Sequence, residues 1–383
     1  MQGYLRDRDF MKKIYQFFRK IYSAETNSRK WCIFTIAVSL GIVLGAALLV
    51  FIVDPHYRYR KPFFYDMVYY EIYATAPHLL EHQEYDLLML GSSMARNFFL
   101  ENINAAFDCN AIKLAASGGT IPDLCKFFEI AKASRGKELK RVVWSLDTYA
   151  LNKEGDHYSD FDYLYRKDHK EDYRYLFSRK SYSSIHYLIK RKQRPKRNRK
   201  HQTDRNRMFS TDYAGKPYGI KVVAAETRRN YRINNTQAPY NAAMHKENFY
   251  NRLLPVFDRN PQLPFTVYLP PYHIYAWCHS EKLGNAEAMI RQRSEVMLEL
   301  IKRPNVELFD FQSSAEYVEN HSDFCDVQHF SNITARRILD DIKNKRKKIT
   351  TAGDVRESEK ALRNIIKRNM PGYNRIISNG KEI

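Results

Sequence analysis

Hydrophobic and polar positions fall along this chain in three rhythms. Residues 31–53, WCIFTIAVSLGIVLGAALLVFIV, hold no charged side chain. As a helix they extend about 34 Å at ~1.5 Å per residue, which matches the apolar core of a bilayer. The pattern predicts a retained transmembrane anchor. A cleavable signal peptide has a shorter apolar region, about 7 to 15 residues, and does not follow so long an N-terminal extension. A buried core helix fits poorly with 23 uncharged residues behind a charged arm.

The second rhythm is a set of five short runs rich in Val, Ile, Leu and aromatics: Asp86–Leu90, Ala111–Ala116, Arg141–Leu146, Phe265–Pro271 and Val306–Phe311. Each precedes a turn or helical stretch, the arrangement of a parallel sheet with covering helices. The third rhythm is helical. Apolar residues at 121, 124, 127, 128 and 131 predict a helix over Ile121–Ala133, and further helices are expected over Glu287–Lys302 and about Asn332–Lys343. Together they predict a three-layer α/β domain over residues 54–342, built on a five-stranded parallel sheet and preceded by one membrane helix. The interval from about 150 to 262 is too long for a loop and is expected to carry its own structure or a lid. Residues 343–383 read as a basic, polar tail.

Charge sets the orientation. The chain has 383 residues, 63 Lys+Arg against 43 Asp+Glu, and a formal net charge of +20. Eight basic residues precede the apolar span (Arg6, Arg8, Lys12, Lys13, Arg19, Lys20, Arg29, Lys30), whereas the twenty after it hold only Arg58, Arg60 and Lys61. The bias places residues 1–30 in the cytoplasm, 31–53 in the membrane and 54–383 outside. Residues 190–207 carry ten Lys or Arg and one acid, Asp204. Outside a membrane, the fitting counter-charge is a phosphate-rich polymer or lipid headgroup rather than nucleic acid; the plain alternative is a solvated loop. Cys109, Cys125, Cys278 and Cys325 lie in the exported part, where a Cys278–Cys325 bridge is chemically permitted, although scattered buried thiols read equally well.

Two segments carry candidate chemistry. In LMLGSSMARNF, Gly91 lets the backbone turn so that Ser92 or Ser93 projects at the carboxyl end of the first strand, where open α/β sheets bind ligands. In DVQHF, Asp326 stands three residues before His329, so the carboxylate can orient one ring nitrogen while the other faces a nucleophile. Ordinary turn chemistry and a surface pair are the respective alternatives. His273, in PPYH after the fourth run, reads as structural or as lining an acceptor site.

An early strand-end serine and a terminal D-x-x-H resemble the first and last signature blocks of the SGNH (GDSL-like) hydrolases. The likeness is closer to their membrane-anchored branch, which includes DltD-type proteins of teichoic acid D-alanylation and proteins that acylate surface polysaccharides. It covers about residues 84–148 and 264–342. The resemblance implies a flavodoxin-like SGNH fold. Ser93 becomes the nucleophile with Ser92 as fallback, and Asp326 and His329 complete the triad. An oxyanion hole from the Ser93 N–H and the Ser117-Gly118-Gly119-Thr120 block is also implied, with Gly118 the better match and Gly119 close behind. The third block departs from the family: Asp147 stands where an asparagine donor is usual, and an ionised carboxylate cannot donate. Either Asp147 turns away to hold a loop, Thr148 or Asn152 supplies a donor, or backbone N–H groups act alone.

The resemblance and topology together imply a serine esterase or acyltransferase that adds, removes or relays acetyl or aminoacyl groups. Its expected substrate is a surface polysaccharide or anionic polymer of the cell envelope. No metal or organic cofactor is required, and no nucleic acid is expected. The expected partners are the lipid bilayer and a multispanning membrane acyltransferase. The competing expectation is a scaffold or binding protein that keeps the α/β fold without turnover.

Overall fold

A computed structural model describes Gln16 and residues 28–193, 203–210, 217–233 and 241–378. Most of the basic arm at 1–30 and the centre of the basic run at 190–207 lie outside these described residues. The apolar span forms helix α1, Ser28–Val53, of which Lys30–Val53 is apolar and long enough to cross a membrane.

All five apolar runs form strands: β1 Leu87–Gly91, β2 Ala111–Ala115, β3 Arg141–Ser145, β4 Phe265–Leu269 and β5 Val306–Asp310. They pair in parallel in the order β2-β1-β3-β4-β5. Every residue of β1, β2 and β4 is buried. Both faces of the sheet are therefore covered, which is why these strands are apolar throughout rather than alternating.

The sheet has six strands, not five. β6, Lys348–Ile349, pairs antiparallel with β5 at the edge. Two residues in a lysine-rich segment give no strand pattern. Their pairing is secured instead by Glu307 on β5, whose carboxylate accepts from Lys345 at 2.7 Å and Lys348 at 2.9 Å. The rest of the segment read as a tail forms α12, Ala352–Ser378, which buries Val355, Leu362, Ile365, Ile366, Tyr373 and Ile376. Its start is capped by Asp354, which accepts from the N–H groups of Thr350 and Thr351. Ser358 of the same helix joins a buried group with Arg293 and Asp310, tying α12 to the carboxyl end of β5.

Local signals account for the helices around the sheet. Thr120 and Asp123 form a reciprocal capping box that starts α4, Ile121–Arg135. Ser331 accepts from the Thr334 N–H to start α11, Asn332–Lys343. The described parts of the long interval between β3 and β4 carry structure of their own, with helices that include α5 Thr148–Leu151, α6 Asp172–Leu176, α7 Arg179–Lys192 and α8 Ile220–Ile233. Helix α2 spans Ile72–His82, α3 spans Leu100–Phe107, α9 spans Ile274–Lys282 and α10 spans Ala286–Leu300. The chain runs from β1 to β2 on one side and then to β3 on the other, so the strand order reverses beside the carboxyl end of β1. That is the position at which doubly wound sheets bind their ligands.

Candidate active site

Gly91 ends β1 opposite Ala115 of β2 and Ser145 of β3. A Cβ there would lie 2.6 Å from the Ala95 Cβ and 2.7 Å from the Ser145 Cβ, so only glycine lets the chain turn this tightly into the short 3₁₀ turn Ser93–Ala95. Ser92 caps that turn, accepting from the Met94 N–H at 3.3 Å. Ser92 is buried and its hydroxyl donates to Asp147, whereas Ser93 is half-exposed at the strand's end.

His329 reaches the same point from 236 residues away, its Nε2 standing 2.9 Å from Ser93 Oγ. Its Nδ1 lies 2.7 Å from Asp326 Oδ2. The other Asp326 oxygen accepts from the N–H groups of Gln328 and His329, both at 2.7 Å. The aspartate thus folds its own loop around the histidine that it orients. Burial pushes the Asp326 carboxyl up, but the hydrogen bond and charge of His329 and the two N–H groups outweigh it and hold the carboxyl below its ordinary value. The loop is closed by an antiparallel bridge between Phe324 and Phe330 and is moored to the serine turn by Asn97, whose amide donates to the Phe330 carbonyl.

Of the two candidate glycines, Gly119 has its N–H committed to the Ala116 carbonyl at 3.0 Å. Gly118 has φ of +67°, a left-handed turn that glycine adopts without strain. Among the described residues, neither the Gly118 nor the Ser93 N–H has a hydrogen-bond partner. Asp147 turns away, as one of the sequence alternatives had it. It caps α5 through the Ala150 N–H at 2.7 Å and accepts the Ser92 hydroxyl. Burial raises the Asp147 carboxyl, and its hydrogen bonds from Ser92 and Ala150 only partly offset that. Asn152 donates one amide N–H to the Thr148 carbonyl at 3.1 Å, and both residues line the cleft beside His329.

His273 is structural. It is fully buried, caps α9 through the Tyr275 N–H and bonds His321 at 2.7 Å. Cys278 and Cys325 are not joined by a disulfide. A cleft of about 620 Å³ opens on the Asp326–His329 side, with Tyr149, Asn152, Glu226, Asn230 and Tyr272 on its walls. The insertion supplies Glu226 and Asn230 through α8, whose approach is fixed where the Gly219 N–H meets the Phe324 carbonyl at 3.1 Å.

Sequence reasoning passed over Lys113, Asn97 and Arg96. Lys113 is fully buried on β2 and donates to the carbonyls of Arg96 and Phe98 and to the Ser210 hydroxyl, holding the segment behind Ser93 from beneath. One cation inside the apolar run AIKLAA was the available signal, since a buried ammonium requires acceptors. Arg96 donates to Ser117 in the glycine block and to the Phe209 carbonyl at 3.0 Å. Among the described residues, one trio has metal-ligating atoms within 4.8 Å of one another, His78, Glu81 and His82. It lies on α2, just before the amino end of β1 and so away from the serine edge of the sheet. No protein-family model, curated protein or solved structure matches this chain.

Proposed function

We propose that the chain is a membrane-anchored serine esterase or O-acyltransferase with a flavodoxin-like, SGNH-type fold. Its N-terminus lies in the cytoplasm and its catalytic domain outside, and it acts on acyl groups of a surface polysaccharide or anionic polymer. The observation that carries this reading is the hydrogen-bonded line Ser93–His329–Asp326, at 2.9 and 2.7 Å, at the carboxyl edge of the sheet. His329 Nε2 takes the Ser93 proton as Oγ attacks an ester or thioester carbonyl, and Asp326 fixes the tautomer and stabilises the imidazolium. The Ser93 and Gly118 N–H groups meet the oxyanion. His329 then protonates the leaving group, and a water or sugar hydroxyl, deprotonated by His329, releases the acyl group. Aromatic and amide side chains on the adjoining cleft support a carbohydrate acceptor.

Asp147 favours a second reading, an envelope scaffold without turnover, because a carboxylate held by Ser92 and Ala150 stands where the resemblance implies an asparagine donor. Loss of one such donor costs ~100- to 1,000-fold in turnover, which slows an enzyme without abolishing it. Hydrolysis of p-nitrophenyl acetate by the full-length chain separates the readings. An enzyme loses turnover to background on Ser93→Ala, whereas a scaffold shows equal rates for both proteins.

A further inference from the structure

The last turns of α1 are not bare. Ala46, Ala47, Val50 and Val53 lie on one stripe of the helix and are covered to varying degree, Val50 completely, while Leu48, Leu49, Phe51 and Ile52 on the other sides stay exposed. The cover comes from the domain: Val50 packs in a cluster with Phe161, Tyr175 and Ile185, and α6 and α7 lie against α1.

The joint is also locked. The Asp54 carboxylate accepts from the N–H groups of Arg58, Tyr59 and Arg60 and from the Tyr175 hydroxyl, all within 3.0 Å. The buried Arg58 guanidinium bonds Asp172 at 3.0 Å and the Arg166 carbonyl at 2.8 Å. Helix and domain are held at a fixed angle.

Residues 46–53 cover about 10 Å of helix and belong to its apolar span. Whatever packs against them lies at the depth of lipid headgroups and outer acyl chains. Eight large hydrophobic residues are exposed outside α1 among the described residues, and five of them, Phe63, Phe64, Tyr173, Phe177 and Ile189, belong to the segments that leave α1 or pack against it. They sit on the chain leaving α1, on α6 and α7, or between those two helices. Arg60 completes the edge, donating to the last carbonyls of α1 at Phe51 and Ile52 with its guanidinium over the Phe51 ring at 4.8 Å. The far end of α7 carries two exposed cations, Lys190 and Lys192, while Arg191 between them is buried.

We propose that Phe63, Phe64, Tyr173, Phe177 and Ile189 form a collar that enters the bilayer interface around α1, with the basic end of α7 at anionic headgroups. The domain is thereby oriented on the membrane rather than tethered above it. The proposal rests on α1 spanning the bilayer.

The test uses the full-length chain with Trp31→Phe, reconstituted in phosphatidylglycerol vesicles with lipids brominated near the headgroup end of the acyl chains. Phe63→Trp, Phe177→Trp and Ile189→Trp are compared with Leu298→Trp and Ile333→Trp, which are exposed elsewhere. The collar predicts that brominated lipid removes about half or more of the added fluorescence at the three collar positions and almost none at the two controls. Collar tryptophans that float with the vesicles but resist quenching overturn it, and a blue shift without quenching assigns the patch to a protein partner instead. A chain that does not float with vesicles overturns the spanning reading of α1, and the collar with it.

Discussion

Asp326→Asn separates the electronic role of this residue from its structural one, because its two oxygens hold different partners. One accepts the Gln328 and His329 N–H groups and the other faces His329 Nδ1. An asparagine keeps its carbonyl on the two N–H groups, which leaves its amide donor facing Nδ1. The ring must then accept at Nδ1 and carry its proton on Nε2, 2.9 Å from Ser93 Oγ, where a base is needed. Forcing the wrong tautomer on a triad lowers turnover by about 10⁴-fold, or roughly 5.4 kcal/mol of barrier. Stability should fall by less than about 1 kcal/mol, since the loop's own hydrogen bonds persist. Asp326→Ala, by contrast, strands both N–H groups at about 1–3 kcal/mol each. The assay is p-nitrophenyl acetate hydrolysis beside thermal melting, with the His329 tautomer read from its ring ¹⁵N shifts. An Asp326→Asn protein within tenfold of wild type would refute the assigned tautomer.

Three further outcomes rest on the same geometry. Ser92→Ala removes the cap on the Ser93 turn and the hydroxyl that Asp147 accepts; melting should show a loss of about 1–3 kcal/mol, while esterase turnover stays within about tenfold of wild type. Asp310→Ala leaves the buried Arg293 guanidinium without its carboxylate and is expected to cost about 3–5 kcal/mol, measured by urea unfolding, with Asp310→Asn milder. Burial raises the Glu307 carboxyl, but Lys345 and Lys348 outweigh it and bring it down to about 2. Its contribution to stability is therefore complete above the unfolded carboxylate value near pH 4.5 and is lost as pH falls towards 2. Partial exposure reduces that contribution to about 1 kcal/mol, so Glu307→Gln should narrow the wild-type advantage in melting temperature between pH 6 and pH 2.5.

Much of the fold was legible because burial on both faces forces continuous apolar runs, and all five expected strands lie within two residues of their places. Helix α11 matches its expected bounds, since Ser331 and the apolar spacing mark it. β6 was not legible: two residues have no period, and their pairing depends on Glu307, 41 positions before Lys348. Helix α12 carried an apolar stripe in its sequence, but its lysines and arginines masked it. The site shows the same division. Ser93, Asp326 and His329 stand within hydrogen-bonding reach, because Ser93 follows the Gly91 turn at the end of β1 and Asp326 folds its own loop around His329. The choice between Ser92 and Ser93 needed the third dimension: Asp147, fifty-five residues on, occupies Ser92 and leaves Ser93 to His329. Nor could sequence separation reveal that α8 would wall the cleft, since that contact joins residues about a hundred positions apart.

The most direct test of an activated Ser93 is fluorophosphonate labelling of the full-length chain, read by intact mass and peptide mapping. The triad predicts a single adduct on Ser93 that is lost in Ser93→Ala and His329→Ala and retained in Ser92→Ala. A folded chain that takes no label, or one that takes it on a different serine, would contradict it.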